Sequence, residues 1–135
     1  MDCCAENGIG VIAFCPLFQG LLTDKYLKGI PKVSRARIQQ SPLRKNEISE
    51  QNIRVIQELN NLAESRGQTL AQMALAWVLR TDQVTSALMG ASSVDQIKNN
   101  LEAVKSLNFS DEEEDQIDRI VAKINLPKSL WASEA

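Results

Sequence analysis

The sequence predicts a parallel α/β architecture, read as the last part of a larger α/β domain. Three observations carry that prediction. Two short apolar runs, residues 10–15 and 84–89, alternate with amphipathic helical patterns, the order expected of strands joined by helical crossovers. The first run, Gly10 to Cys15, is apolar at nearly every position, the pattern of a strand buried on both faces. Two strands alone make a poor sheet, and the helical residues that open the chain carry no N-cap, so further elements are expected around them.

Taken in order, residues 2–7 read as the tail of a helix, with Gly8 as its left-handed C-terminal cap. Strand 10–15 follows, then a long segment, 16–48, holding Pro16, Gly20, Gly29, Pro31 and Pro42. Connections of that length are usually functional or disordered. Ser49 can cap a helix over 49–66, with Ile53, Ile56, Leu59, Leu62 and Ala63 on one face and Gly67 at its end. Thr69 and Gln72 form a capping-box pattern for a helix over 69–80. Its Leu70, Met73, Ala74, Trp77 and Val78 recur at helical spacing, which assigns Trp77 to the core. Strand 84–89 ends at Gly90-Ala91-Ser92. Ser93 and Gln96 offer a capping box for helix 93–105, with Ile97, Leu101 and Val104 as its expected buried side. Ser110 and Glu113 start helix 110–124, whose acidic first turn, DEEED, reads as a solvated complement to the helix dipole. The tail LPKSLWASEA could cover something with Trp131.

Composition excludes several classes. No stretch approaches the roughly 18 apolar residues of a membrane span. MDCCAENG lacks a signal peptide's basic start and apolar stretch, so cytoplasm is the expected compartment. Cys3, Cys4 and Cys15 have no zinc-ligand spacing and are expected to be small buried or helical thiols. The chain has no histidine, which removes any Ser-His-Asp or Cys-His arrangement. Charge is uneven: residues 16–48 carry Lys25, Lys28, Lys32, Arg35, Arg37, Arg44 and Lys45 against Asp24 and Glu47, a local net of +5 in a chain of net −2. Such a segment is either a solvated basic loop or an anion site. Nucleic acid is not expected as a partner, because no aromatics interleave with these charges and the pI is acidic.

Two polar clusters lie just past the strand ends. The first holds Cys15, Pro16, Leu17, Gly20, Thr23 and Lys25. The second holds Gly90, Ala91 and Ser92, leading into a helix on which Gln96, Asn99 and Asn100 share a face at i, i+3 and i+4. Neutral hydrogen-bonding groups at a helix N-terminus suit a phosphate and a sugar or base edge, and a polar solvent face is the plain alternative. Neither cluster matches a P-loop or the G-x-G-x-x-G fingerprint.

The stretches FCPLFQGLLTDKY (14–26), GIP (29–31), SR (34–35), LAQMALAWVLR (70–80), GASSVDQIKNN (90–100) and NLPKSLWAS (125–133), in that order, resemble the C-terminal part of an aldo/keto reductase. The similarity is to the bacterial glyceraldehyde 3-phosphate reductase-like and potassium-channel β-subunit-like branches. The resemblance covers essentially the whole chain. It implies the C-terminal part of a (β/α)8 TIM barrel, its last two strands with their helices, as an incomplete barrel.

Carried over residue by residue, the resemblance implies an NADP(H) site. Phe14 takes the position that stacks on the nicotinamide, an aromatic in place of the commoner Trp or Tyr. Cys15 takes the usual serine position, and Pro16, Leu17, Gln19, Gly20, Thr23 and Lys25 line a belt over the pyrophosphate. Arg35 would approach from the long segment. Gly90, Ser92, Gln96, Asn99 and Asn100 would hold the adenosine end with its 2′-phosphate. Two departures stand out: Asp24 occupies a position where glycine is common, and Asn99 one often held by an acid. The family's catalytic Asp, Tyr, Lys and His belong to the earlier part of such a barrel, and Tyr26 is not the catalytic tyrosine by position.

The expected function is the cofactor-binding portion of an NADPH-dependent aldehyde or ketone reductase, inactive alone, its small carbonyl substrate bound only in a complete barrel. The alternatives are a non-catalytic nucleotide-binding or barrel-completing module and a truncated gene product. Exposed strand edges in an incomplete barrel predict self-association.

Overall fold

The computed structural model describes residues 2–27 and 48–125. Arg35, the other basic residues between 28 and 45, and Trp131 lie outside the described residues. Helix α1 (Asp2–Glu6) ends at Gly8, whose φ of +64° is the left-handed conformation that a glycine adopts without cost. Strand β1 (Ile12–Phe14) follows and leads into two short 3-10 turns, Phe18–Gly20 and Asp24–Tyr26.

Each later helix starts where a side-chain oxygen stands ahead of it. Ser49 accepts from the Asn52 N–H to begin α2 (Glu50–Ser65), and Thr69 accepts from Gln72 N–H to begin α3 (Leu70–Leu79). Strand β2 (Ser86–Leu88) precedes α4 (Val94–Leu101), which tightens into a 3-10 turn over Glu102–Lys105. Helix α5 (Asp111–Val121) begins at Ser110. The boxes at Thr69 and Ser110 are closed in both directions by Gln72 and Glu113. At Ser93 only half a box forms, because the Gln96 side chain turns to Ser92 instead.

β1 and β2 pair in parallel, with Ile12 opposite Ser86, Ala13 opposite Ala87 and Phe14 opposite Leu88. The core, however, lies among helices. Val55, Ile56, Leu59, Leu62 and Ala63 of α2 meet Leu70 and Met73 of α3 and Ile117 and Ile120 of α5, with Leu21 and Tyr26 inserted from the loop after β1. Trp77 packs at the margin of this cluster.

Three expectations need correction. β1 is not buried on both faces: Phe14 is 71% exposed, and Ile12 and Leu88 beside it are also open. The helices gather their apolar stripes on one another, and no described residue covers this sheet face. Ile97, Leu101 and Val104 are likewise exposed; the inward side of this segment carries Asn100 and Ala103 instead. The acidic start of α5 is more than a solvated cap, since Glu113 pairs with Arg66 and Glu114 with Arg80.

Candidate functional site

Parallel pairing fixes the geometry of the two polar clusters. Phe14 and Leu88 form the last pair of the ladder, so the chain leaves both strands at the same end, and both loops begin side by side there. A parallel α/β sheet gathers its ligand-binding loops at this carboxyl end.

The first loop is tight and strained. Cys15, Phe18 and Gln19 all have positive φ, 54°, 46° and 58°, and Gly20 adds φ 89°. Left-handed backbone costs a residue with a side chain roughly 1–2 kcal/mol. Internal bonds enforce it: Phe18 N–H donates to Cys15 O at 2.9 Å, Gly20 N–H to Leu17 O at 2.9 Å and Leu22 N–H to Leu17 O at 3.2 Å. The Gln19 amide Nε2 lies 3.1 Å from Cys15 Sγ. Beyond the turn, Thr23 Oγ1 donates to Gly20 O at 2.7 Å and accepts from Lys25 N–H at 3.3 Å.

Leu21 and Tyr26, each 1% exposed, pin both sides of that polar tip into the helical core. An apolar strand can therefore run straight into Thr23, Asp24 and Lys25. The anchors go inward, and Asp24 and Lys25 stand in solvent. Pro16 and Leu17 are half-buried within the same turn.

In the second loop, Gly90 has open space where a Cβ would stand. Gln96 Oε1 accepts from Ser92 N–H at 2.8 Å and from Ser92 Oγ at 3.1 Å, which brings these two predicted residues together. Asn99 and Asn100 engage elsewhere. Asn99 Oδ1 accepts from Thr69 Oγ1 at 3.3 Å, and its carbonyl accepts from Gln72 Nε2 at 2.9 Å. Asn100, 8% exposed, donates from Nδ2 to Met89 Sδ at 3.0 Å. The shared helix face thus divides between the bonds of Gln96 to Ser92 and those of Asn99 and Asn100 to Thr69, Gln72 and Met89. Sequence spacing did not reveal Gln72 and Met89 as neighbours of Asn99 and Asn100. Thr69 and Gln72 were legible only as a local cap.

Among the described residues no group of three or more His, Cys, Asp or Glu could hold a metal ion. A surface groove of about 700 Å³ between α2 and α5, with Glu58, Ser65, Arg119 and Lys123 in its lining, includes none of the candidate site residues. No described helix is long and apolar enough to cross a membrane.

The sequence pattern described as the Aldo/keto reductase family matches residues 1–122. The chain belongs to the aldo/keto reductase family. It is 44% identical over 138 aligned positions to L-glyceraldehyde 3-phosphate reductase of Escherichia coli strain K12, with all of this chain and 39% of that protein covered. The same values hold for the enzyme of that name from Escherichia coli O157:H7. The chain therefore spans 39% of the length of these relatives. Among solved structures, a thermostable aldo-keto reductase in complex with the inhibitor epalrestat superposes with a TM-score of 0.57 at 24% identity, covering 88% of this chain and 32% of that one. The likeness to this reductase is one of fold, and the two parallel strands with their helices correspond to part of a TIM barrel.

Proposed function

We propose that this aldo/keto reductase chain forms the cofactor-holding portion of an NADPH-dependent carbonyl reductase and carries no proton-transfer group of its own. The observation that carries the reading is the emergence of both polar loops at one end of a parallel strand pair, beside an exposed Phe14 ring. The available groups suit a dinucleotide. Phe14 offers a flat apolar face for the nicotinamide, and Lys25 an exposed ammonium for the pyrophosphate, within the strained belt of Cys15, Pro16, Leu17, Gln19, Gly20 and Thr23. Ser92, Gln96, Asn99 and Asn100 serve the adenosine end, with Gly90 leaving room for close approach. Arg35 is assigned to the same ligand.

When bound, the nicotinamide supplies the hydride chemistry. This chain's residues bind and orient it, and the proton for the carbonyl oxygen comes from elsewhere in a complete barrel. The Escherichia coli relatives are named for L-glyceraldehyde 3-phosphate, and a small aldehyde of that kind is the substrate proposed for a barrel that includes this chain. The open apolar sheet face favours a second reading, a nucleotide-binding or barrel-completing module with no turnover in any assembly.

Titration with NADPH, followed by nicotinamide fluorescence, tests the cofactor assignment. Micromolar binding by the 135-residue chain, weakened by Phe14→Ala, is expected; absence of binding overturns it. Appreciable NADPH-dependent aldehyde reduction by the chain alone would refute the assignment of proton transfer elsewhere. The module reading predicts that adding the rest of a family barrel restores binding strength without turnover.

A further inference from the structure

We infer that Gln72 is a positioning residue for the adenosine end of the site, acting through Asn99; this rests on the cofactor reading above. Helix α4 carries Gln96, Asn99 and Asn100, so its placement sets where all three stand. Apolar burial contributes only the small Ala103 of the following turn to that placement, because Val94, Ile97, Leu101 and Val104 are all exposed. Amide contacts take that role. Gln72 Nε2 donates to Asn99 O, Thr69 Oγ1 donates to Asn99 Oδ1, and Asn100 Nδ2 reaches Met89 Sδ.

Gln72 joins α3 to α4 from within α3, beside the contact of its cap Thr69. It is 8% exposed, and a buried amide needs both its ends satisfied. Its Oε1 accepts from Thr69 N–H at 2.9 Å, closing the α3 cap, while its Nε2 extends to α4. A cap alone needs only the acceptor. The second closed box of this chain shows it, since Glu113 fills the same position in α5 with a carboxylate. The donor end of Gln72 is therefore what the α3 cap does not require. Its acceptor, Asn99 O in the last turn of α4, also accepts from the Glu102 backbone N–H, so Gln72 supplies a second donor to that carbonyl from a different helix.

Gln72→Glu in the 135-residue chain separates the two roles. The carboxylate keeps an acceptor for Thr69 N–H and loses the donor to Asn99. Amide hydrogen exchange should accelerate about tenfold across residues 96–101, what one net hydrogen bond is worth, while residues 73–78 of α3 keep their rates. Affinity for adenosine 2′,5′-bisphosphate should fall by a similar factor, with binding of nicotinamide mononucleotide unchanged. Gln72→Ala, which loses cap and contact together, should accelerate both helices. Unchanged exchange in α4, equal acceleration of α3 and α4 in Gln72→Glu, or an α4 already unprotected in the parent chain would each overturn the inference. A parent chain that binds neither nucleotide would instead refute the cofactor reading, with the exchange contrast still deciding what Gln72 does to α4.

Discussion

The guanidinium of Arg66, just past the end of α2, meets the carboxylate of Glu113 in the first turn of α5, and only 6% of the arginine side chain is exposed. The same guanidinium donates to Asn108 O at 2.9 Å and to Gln68 Oε1 at 3.0 Å, and lies 3.8 Å above the Phe109 ring. Phe109 meets Trp77 edge-on at 5.2 Å, and Arg80 stacks 3.7 Å over Trp77 while pairing with Glu114. Two arginines and two aromatic rings thus tie α2, α3 and α5 together. Removing Arg66 takes away the ion pair, the hydrogen bonds to Asn108 O and Gln68 Oε1 and the contact with the Phe109 ring together, and leaves Glu113 unpaired at 28% exposure. Arg66→Ala should destabilise the chain by about 3 kcal/mol, read from urea unfolding. Arg80→Ala, whose ion pair is more exposed, should lose about 1 kcal/mol. Equal losses would contradict the difference in burial.

Glu113 also makes this junction acid-sensitive. The Ser110 backbone N–H holds its carboxyl below the ordinary glutamate range; burial pushes the other way, and the hydrogen bond and charge of Arg66 add to the lowering. A carboxyl depressed in the folded state binds its proton more readily when unfolded. The stability it contributes is full above the unfolded value of about 4.3 and drains as the pH falls through the lower folded value. Glu113→Gln should therefore flatten the loss of stability on acidification, measured as melting temperature against pH. Glu112, lowered mainly by its own backbone N–H and by the Ser110 side chain, acts in the same direction, so some slope persists. An acid slope as steep as the parent's would refute the role of Glu113.

Local rules were legible in the sequence and tertiary ones were not. Thr69 with Gln72 and Ser110 with Glu113 announce their helices because a cap is a contact between residues three apart. Gly8 and Gly67 announce the left-handed helix ends for the same reason. The apolar stripe of Ile97, Leu101 and Val104 misled, because periodicity gives a face and not what covers it. Asn52 shows the converse. It sits on the stripe of α2, fully buried, because its amide donates to Asn125 O at 2.9 Å and accepts from Asn125 N–H at 2.8 Å. Its partner lies 73 residues away, beyond any spacing rule. At the candidate site the loops could be located from strand ends, whereas the bonds of Asn99 to Thr69 and Gln72 depended on how α4 meets α3, and that of Asn100 to Met89 on how α4 meets the end of β2.

The glycines of the two loops should respond differently to a methyl group. Gly20 has φ +89° with nothing near a built Cβ, so Gly20→Ala meets only backbone strain. A cost of about 1–2 kcal/mol is expected. Gly90 also has open space and lies outside the left-handed region, so Gly90→Ala should leave the unfolding midpoint nearly unchanged. Weaker NADPH binding in Gly90→Ala would then report contact with ligand rather than damage to the fold. Destabilisation of both variants alike would show that the Gly90 backbone is more constrained than its conformation indicates.

The open surfaces define a last expectation. Ile12, Phe14 and Leu88 present one apolar face of the sheet, and Val94, Ile97, Leu101 and Val104 a second apolar surface. Among the described residues the sheet has only two strands, so both of its outer edges are open to pairing between copies. Sedimentation velocity should show mass rising with concentration. Ile12→Lys and Leu101→Lys should each lower that mass by introducing a charge on one surface. The two surfaces can be told apart by ligand: NADPH stacked on Phe14 would cover the sheet face and reduce association there, leaving association through α4 intact. NADPH should therefore shift the Leu101→Lys chain toward monomer more completely than it shifts the Ile12→Lys chain. A compact monomer at every concentration would sink the expectation for both surfaces.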